Sequence, residues 1–188
     1  MKLALYGGTF DPIHHGHLIL AREARERLGL DRVVFIPAAR SPFKPGVALT
    51  PPEVRLEMVR AAVEGEPGFE VDASEITRGG TSYTIDTVLG ARERWPEAEL
   101  WWLIGADHVG ELPKWHRAEE LSALVRFAVL DRAVGGETTH SFPRIARTID
   151  ISATEVRTRV ARGASIGYLV PPAVQALIAQ HGLYQSTP

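Results

Sequence analysis

A chain of 188 residues is long enough to bury a core of its own, and residues 1–188 are read as one domain. The absence of cysteine excludes a disulfide framework and makes a reducing compartment the default. Twenty-one Lys and Arg against 23 Asp and Glu leave a formal charge of −2, which argues against nucleic-acid binding driven by phosphate charge and points to small-molecule partners.

The apolar residues between Met1 and Gly7 are too few for a secretory signal or a membrane span, so a cytoplasmic protein with no membrane partner is expected. They read instead as a first strand, Lys2 to Tyr6. Leu18, Ala21, Ala24 and Leu28 then recur at helical spacing, which predicts a helix over 17–28. Between the two lies Gly7-Gly8-Thr9-Phe10-Asp11-Pro12-Ile13-His14-His15-Gly16-His17. A helix start offers N–H groups and partial positive charge to an anion, and paired glycines allow close approach to the backbone. His14 and His17 are three apart and share a side of a helical turn. They are read as hydrogen-bond donors to phosphate oxygens, with His17 near the phosphorus that is attacked. The alternatives are a metal pair or surface histidines. A metal pair is disfavoured because no third ligand stands at a fixed spacing. His15 is given no role.

Further strands are expected over Arg32 to Ile36, Phe69 to Val71, Glu99 to Ile104, Arg126 to Leu130 and Ile145 to Asp150. Helices are expected over 51–64, 84–94, 117–124, 153–162 and 172–181. Thr50, Pro51 and Glu53 read as a capping box with proline at the first helical position. Arg55, on that helix, is read as a solvated charge, with a phosphate contact as the alternative. Trp101 and Trp102 are read as packing groups of a buried strand, whereas Trp115, among Pro113, Lys114 and His116, suits stacking on a flat heterocycle. Ser152 and Glu155 repeat the capping box, and Gly163 supplies a stop. Hydroxyls at that helix start with Arg157 one turn later form a second anion cradle. Arg159 and Arg162 are expected to face solvent. Strands alternating with helices predict a parallel sheet covered on both faces, with ligands at the carboxyl ends of its strands. Neither Gly-x-x-x-x-Gly-Lys-Ser/Thr nor Gly-x-Gly-x-x-Gly occurs, which removes the main support for a kinase or a dehydrogenase.

The segment Gly7 to His17 resembles the signature of the nucleotidyltransferases that carry a His-x-Gly-His motif. Its wording, Gly-Gly-Thr-Phe-Asp-Pro-Ile-His, is similar to the nicotinate mononucleotide adenylyltransferases of bacterial NAD synthesis. Phosphopantetheine adenylyltransferases and glycerol-phosphate cytidylyltransferases share the core of the motif with other flanks. Ile151-Ser152-Ala153-Thr154-Glu155-Val156-Arg157 resembles the family's Ile-Ser-x-Thr-x-x-Arg motif, and the tail from Tyr168 to Tyr184 resembles its carboxyl end. The likeness therefore spans nearly the whole chain and implies a Rossmann-like doubly wound α/β fold of the nucleotidyltransferase type.

The implied reaction is adenylyl transfer from ATP to nicotinate mononucleotide, giving nicotinate adenine dinucleotide and pyrophosphate. Gly7, Gly8, Thr9, Phe10, His14, Gly16 and His17 would bind ATP together with Ile151, Ser152, Thr154 and Arg157. His14, His17 and Arg157 would carry the catalysis. Ser82, Tyr83 and Thr84, in Arg78-Gly79-Gly80-Thr81-Ser82-Tyr83-Thr84, resemble the segment that holds the nicotinate carboxylate, although the family usually has proline where Thr81 stands. An ordinary glycine turn capped by Ser82 is the alternative there. The resemblance also places Asp107 beside the mononucleotide sugar, Trp115 on the pyridine ring and Lys44 on the mononucleotide phosphate. Phe43 replaces the family's usual histidine, and Arg132 fits an Arg-Pro-Gly element that Ala133 and Val134 break. Mg²⁺ is implied as a companion of the ATP phosphates with no dedicated protein ligands. Competing readings are nicotinamide mononucleotide or another phosphorylated acceptor such as phosphopantetheine, a nucleotide-binding module without catalysis, and a tRNA-charging fragment, which the lack of a basic region disfavours. Oligomeric state stays open, a homodimer included.

Overall fold

The structure, a computed structural model, describes residues 1–42, 49–133 and 140–185. In chain order its strands are β1 (Lys2–Gly8), β2 (Arg32–Pro37), β3 (Phe69–Val71), β4 (Glu99–Gly105), β5 (Arg126–Asp131) and β6 (Arg144–Ala146). The helices are α1 (His15–Leu28), α2 (Pro52–Val63), α3 (Ser74–Arg78), α4 (Thr84–Arg94), α5 (Ala118–Leu124), α6 (Ala153–Ala161) and α7 (Pro172–Gln180), and a 3₁₀ helix (Ala106–Lys114) follows β4. The strands form one sheet in the order β3-β2-β1-β4-β5-β6, with every neighbouring pair parallel. This is the doubly wound arrangement that the alternation of elements predicts. Its order reverses between β1 and β4, where such sheets open a crevice at their carboxyl ends.

A strand buried on both faces needs a continuous apolar run, and β1 supplies one. Ala4 and Tyr6 point into one core with Leu20 and Ala21 of α1, Met58 and Val59 of α2, Val156 of α6 and Val174 of α7. Leu3 and Leu5 point into the other, with Ile85 and Val88 of α4 and Leu121 of α5. The paired tryptophans of β4 divide in the same way, Trp101 to the first core and Trp102 to the second. Helix α1 stops where Gly29 adopts a left-handed conformation at φ 60°.

Two expectations need correction, and two short elements were unforeseen. Thr50 does not cap α2: Pro51 is the cap residue and makes no side-chain cap bond, while the Thr50 hydroxyl reaches Tyr184 Oη at 3.2 Å. Strand β6 ends at Ala146 rather than Asp150, because its partner β5 ends at Asp131; Ile149, Asp150 and Ile151 instead line the crevice. The short helix α3 and the 3₁₀ helix were not anticipated, since five residues in one and Pro113 inside the other leave no helical periodicity to read. At Ser152 the cap half of the expected box is present, its Oγ accepting the Glu155 N–H at 3.1 Å.

Candidate active site

The turn from β1 into α1 is packed rather than open. A Cβ at Gly7 would lie 2.6 Å from the Trp102 indole, and one at Gly8 would lie 2.8 Å from the Phe10 ring. At Gly16 the obstacle is the His14 imidazole, 3.0 Å away. These glycines therefore make room for aromatic rings beneath the turn. His14, 2% exposed, is the cap residue of α1, and the following His15 N–H bonds the carbonyl of Leu169 at 2.9 Å.

The His14 and His17 rings stack with centroids 3.7 Å apart. His17 Nδ1 accepts the His14 backbone N–H at 3.2 Å, which fixes the tautomer and leaves Nε2 as the protonated, donating nitrogen. Burial pushes the His14 imidazole down to about 3, and the positive charges of Arg132 and His15 act in the same direction. His14 is thus neutral around pH 7, so it can offer an anion a hydrogen bond but no positive charge.

The second cradle lies against the first although 146 positions separate the residues that join them. Arg157 Nη1 donates to the Asp11 carbonyl at 2.7 Å, and its Nη2 to Thr154 Oγ1 at 3.2 Å. A guanidinium carries five N–H donors in a planar fork, so this anchoring leaves others for an anion. Arg132 reaches the same region from the end of β5, with Nη1 on the Ile151 carbonyl at 3.0 Å. A cleft of about 1040 Å³ opens here and is lined by both cradles. Arg159, expected in solvent, is half-buried and binds the Ser165 carbonyl at 2.7 Å, whereas Arg162 is exposed.

The opposite wall is built from the starts of α4 and the 3₁₀ helix. Ser82, Thr84, Asp107 and Trp115 all line the cleft. Ser82 Oγ accepts the Ala39 N–H at 3.0 Å, and the Ser82 N–H bonds the Arg40 carbonyl at 2.9 Å, which ties this wall to the segment after β2. Gly105 lets the Asp107 carboxylate fold back over it, Oδ1 lying 2.5 Å from where a Cβ would be. Trp115 packs on the core of Trp102, which itself serves both core and cleft. Tyr83 is an exception: its ring stacks on His116 at 4.5 Å, 37% exposed, and lies outside the cleft lining. Lys44 and Phe43 lie outside the described residues, as does Val134.

Two residues were misjudged or missed. Arg55 is not solvated: it is 1% exposed and spans the carbonyls of Thr50 at 2.9 Å, Thr9 at 2.8 Å and Ala39 at 3.2 Å. Glu75, buried in the cleft wall, accepts the Thr87 hydroxyl at 2.5 Å and a second hydrogen bond from Ser82. Burial raises its carboxyl above the ordinary carboxylate range. No pattern in the sequence marks either residue. Among the described residues no group of three or more His, Asp or Glu could hold a metal ion, and no helix is long and apolar enough to cross a membrane.

Residues 5–159 match the family model for cytidylyltransferase-like proteins. The chain belongs to the cytidylyltransferase-like family. Among the relatives of this family member, a Gemmatimonas aurantiaca protein named "Probable nicotinate-nucleotide adenylyltransferase" is 44% identical, covering 100% of this chain and 94% of its own. A Bacillus pumilus protein of the same name is 42% identical over 98% of this chain and 99% of its own. These relatives place the chain with the nicotinate-nucleotide adenylyltransferases of the cytidylyltransferase-like family. The fold is also that of the Plasmodium falciparum nicotinic acid mononucleotide adenylyltransferase complexed with NaAD, at a TM-score of 0.75, 17% identity and 97% coverage of each chain.

Proposed function

We propose that this chain transfers the adenylyl group of ATP to nicotinate mononucleotide, giving nicotinate adenine dinucleotide and pyrophosphate. The observation that carries this reading is the 2.7 Å bond from Arg157 to the Asp11 carbonyl, which closes two phosphate-binding motifs from opposite ends of the chain around one cleft. A single triphosphate can then meet His14 and His17 on one side and Ser152, Thr154 and Arg157 on the other. The cleft sits where the sheet order reverses, the usual place for a nucleotide in such sheets.

The attacking phosphate oxygen is already ionised, so no general base is required. An O–P bond forms at the α-phosphorus, the bond to the bridging oxygen breaks, and pyrophosphate leaves with the electron pair. Catalysis then consists of alignment and stabilisation of charge on the phosphoryl oxygens. His17 donates through Nε2, His14 donates as a neutral imidazole, and Arg157 supplies fixed positive charge. Gly7, Gly8, Thr9, Phe10, Gly16 and Ile151 shape the turn and wall that receive ATP. Mg²⁺, when bound, spreads negative charge over the phosphates. Asp11 is engaged by Tyr184 and Asp131 by Arg144, so phosphate and water oxygens would be its principal ligands.

For the acceptor, Ser82 and Thr84 with the backbone of Tyr83 form the helix start that suits a ring carboxylate, Trp115 the aromatic face, and Asp107 the sugar contact. Lys44 would pair with the mononucleotide phosphate. We read the chain as one domain acting in the cytoplasm on small molecules, with no nucleic-acid or membrane partner. Pyrophosphate release from ATP with nicotinate or nicotinamide mononucleotide at equal concentration tests the reading. Faster turnover of the acid is expected. Equal or faster turnover of the amide would change the acceptor, and no release with either would overturn the transfer itself.

A further inference from the structure

Behind the phosphate turn lies a set of buried polar groups that the transfer reaction does not use. Asp11 is 5% exposed. Its Oδ1 accepts the Tyr184 hydroxyl at 2.5 Å, and its Oδ2 accepts the Thr50 N–H at 3.2 Å. Tyr184 Oη in turn accepts the Thr50 hydroxyl at 3.2 Å. Arg55 completes the arrangement by holding the carbonyls of Thr9 and Thr50 with one guanidinium. The loop Thr9 to Asp11 is thus gripped from α2, from the tail and, through its outer carbonyl, by Arg157.

Tyr184 comes from a turn beyond α7, where Gly182 and Tyr184 both take left-handed conformations, φ 57° and 60°. That conformation is unfavourable for a tyrosine and persists only where surrounding contacts hold it. The tail has a second, independent attachment to α2: His181 Nε2 lies 3.0 Å from Glu57 Oε2 on the surface, away from the phosphate turn. Holding the tail down therefore does not require the Tyr184 hydroxyl, yet the hydroxyl is aimed inward at Asp11. Burial and the bond to Asp11 both raise the phenol's pKa, so it stays a donor throughout the working pH range.

We infer that Tyr184 is a positioning residue for phosphoryl transfer: through Asp11 its hydroxyl sets the backbone on which Arg157 and the turn before His14 are registered. The carboxyl-terminal turn is then part of the catalytic assembly rather than a covering of the core. The inference rests on the adenylyl-transfer reading for its kinetic test and on the geometry alone for a second test.

The experiment compares the full-length protein with Tyr184→Phe and Glu57→Gln. Loss of one buried hydrogen bond that aligns reacting groups is expected to lower kcat about tenfold in Tyr184→Phe, with KM for ATP and for nicotinate mononucleotide within about twofold of the parent. Amide hydrogen exchange over Thr9 to Asp11 should speed up in the same variant. Glu57→Gln, which weakens the other attachment of the tail, should leave both kcat and this exchange unchanged. Parental kcat and exchange in Tyr184→Phe would overturn the inference, as would a parallel loss of kcat in Glu57→Gln. If the parent itself proves inactive with these substrates, the reaction assignment fails and the exchange comparison alone decides: faster exchange supports the positioning role, and unchanged exchange removes it.

Discussion

His14 is a group whose burial has a thermodynamic signature. Its imidazole titrates near 3 in the folded protein, against about 6.5 for an unperturbed histidine. As pH falls below about 6.5 the unfolded chain takes up this proton first, so the contribution of His14 to stability is complete above that value and is lost progressively towards pH 3. The slope approaches about 1.4 kcal/mol per pH unit from this one site. Urea unfolding at pH 7, 6 and 5 should show it, and His14→Gln should flatten the decline over that window. His17 has a different burden, since its Nε2–H is aimed by the backbone of His14. We expect His17→Ala to lower kcat by about 100-fold or more while KM for ATP changes far less, measured by steady-state pyrophosphate release. The pairing of the two histidines was legible in the sequence because it is local, a few residues at a strand-to-helix junction. Arg55 was not. Its partners are carbonyls at Thr9, Ala39 and Thr50, and nothing in the spacing of those residues announces that they surround one guanidinium.

Elements with a sustained apolar stripe were read closely. Helix α4 occupies the expected span, and α5, α6 and α7 differ from it by one residue at an end. Propensity and periodicity sufficed there because burial of one face decides the helix. Shorter pieces escaped because tertiary contacts build them. Helix α3 is the instructive case, for it carries Glu75, whose carboxylate ties Ser82, just before α4, to Thr87 in its first turn. The geometry of the α4 start therefore depends on a residue from another helix. Glu75→Gln keeps the shape but presents an amide N–H to one of two hydroxyl donors. We expect KM for nicotinate mononucleotide to rise about fivefold with KM for ATP unchanged, as an imperfect charged hydrogen bond would produce. A matching rise in both constants would mean that Glu75 supports the cleft in general instead of the acceptor wall.

At the scale of the whole molecule, the alternation of strands and helices announced a parallel sheet, but the strand order depends on pairings between β1 and β4 about a hundred residues apart in sequence. The convergence of the turn before α1 and the start of α6 follows from that order, because it brings the carboxyl ends of β1, β4 and β5 to one crevice. The two cores lie on opposite faces of one sheet and share its central strands β1, β2, β4 and β5. Neither can lose its packing without exposing the other's backbone. A single cooperative transition is expected on heating or in urea, with tryptophan fluorescence and far-ultraviolet circular dichroism coincident. Separate transitions would divide the chain into more than one folding unit.

The contact between Gly7 and Trp102 constrains how such a protein can diverge. Alanine at position 7 alone drives its methyl group into the indole, and a smaller residue at 102 alone leaves a void under the turn. Either change by itself is destabilising, whereas a smaller residue at 102 opens the space that a side chain at position 7 needs. Lineages can therefore leave this arrangement only through a paired exchange, and an engineered Trp102→Leu background is where a side chain at position 7 should first become tolerable.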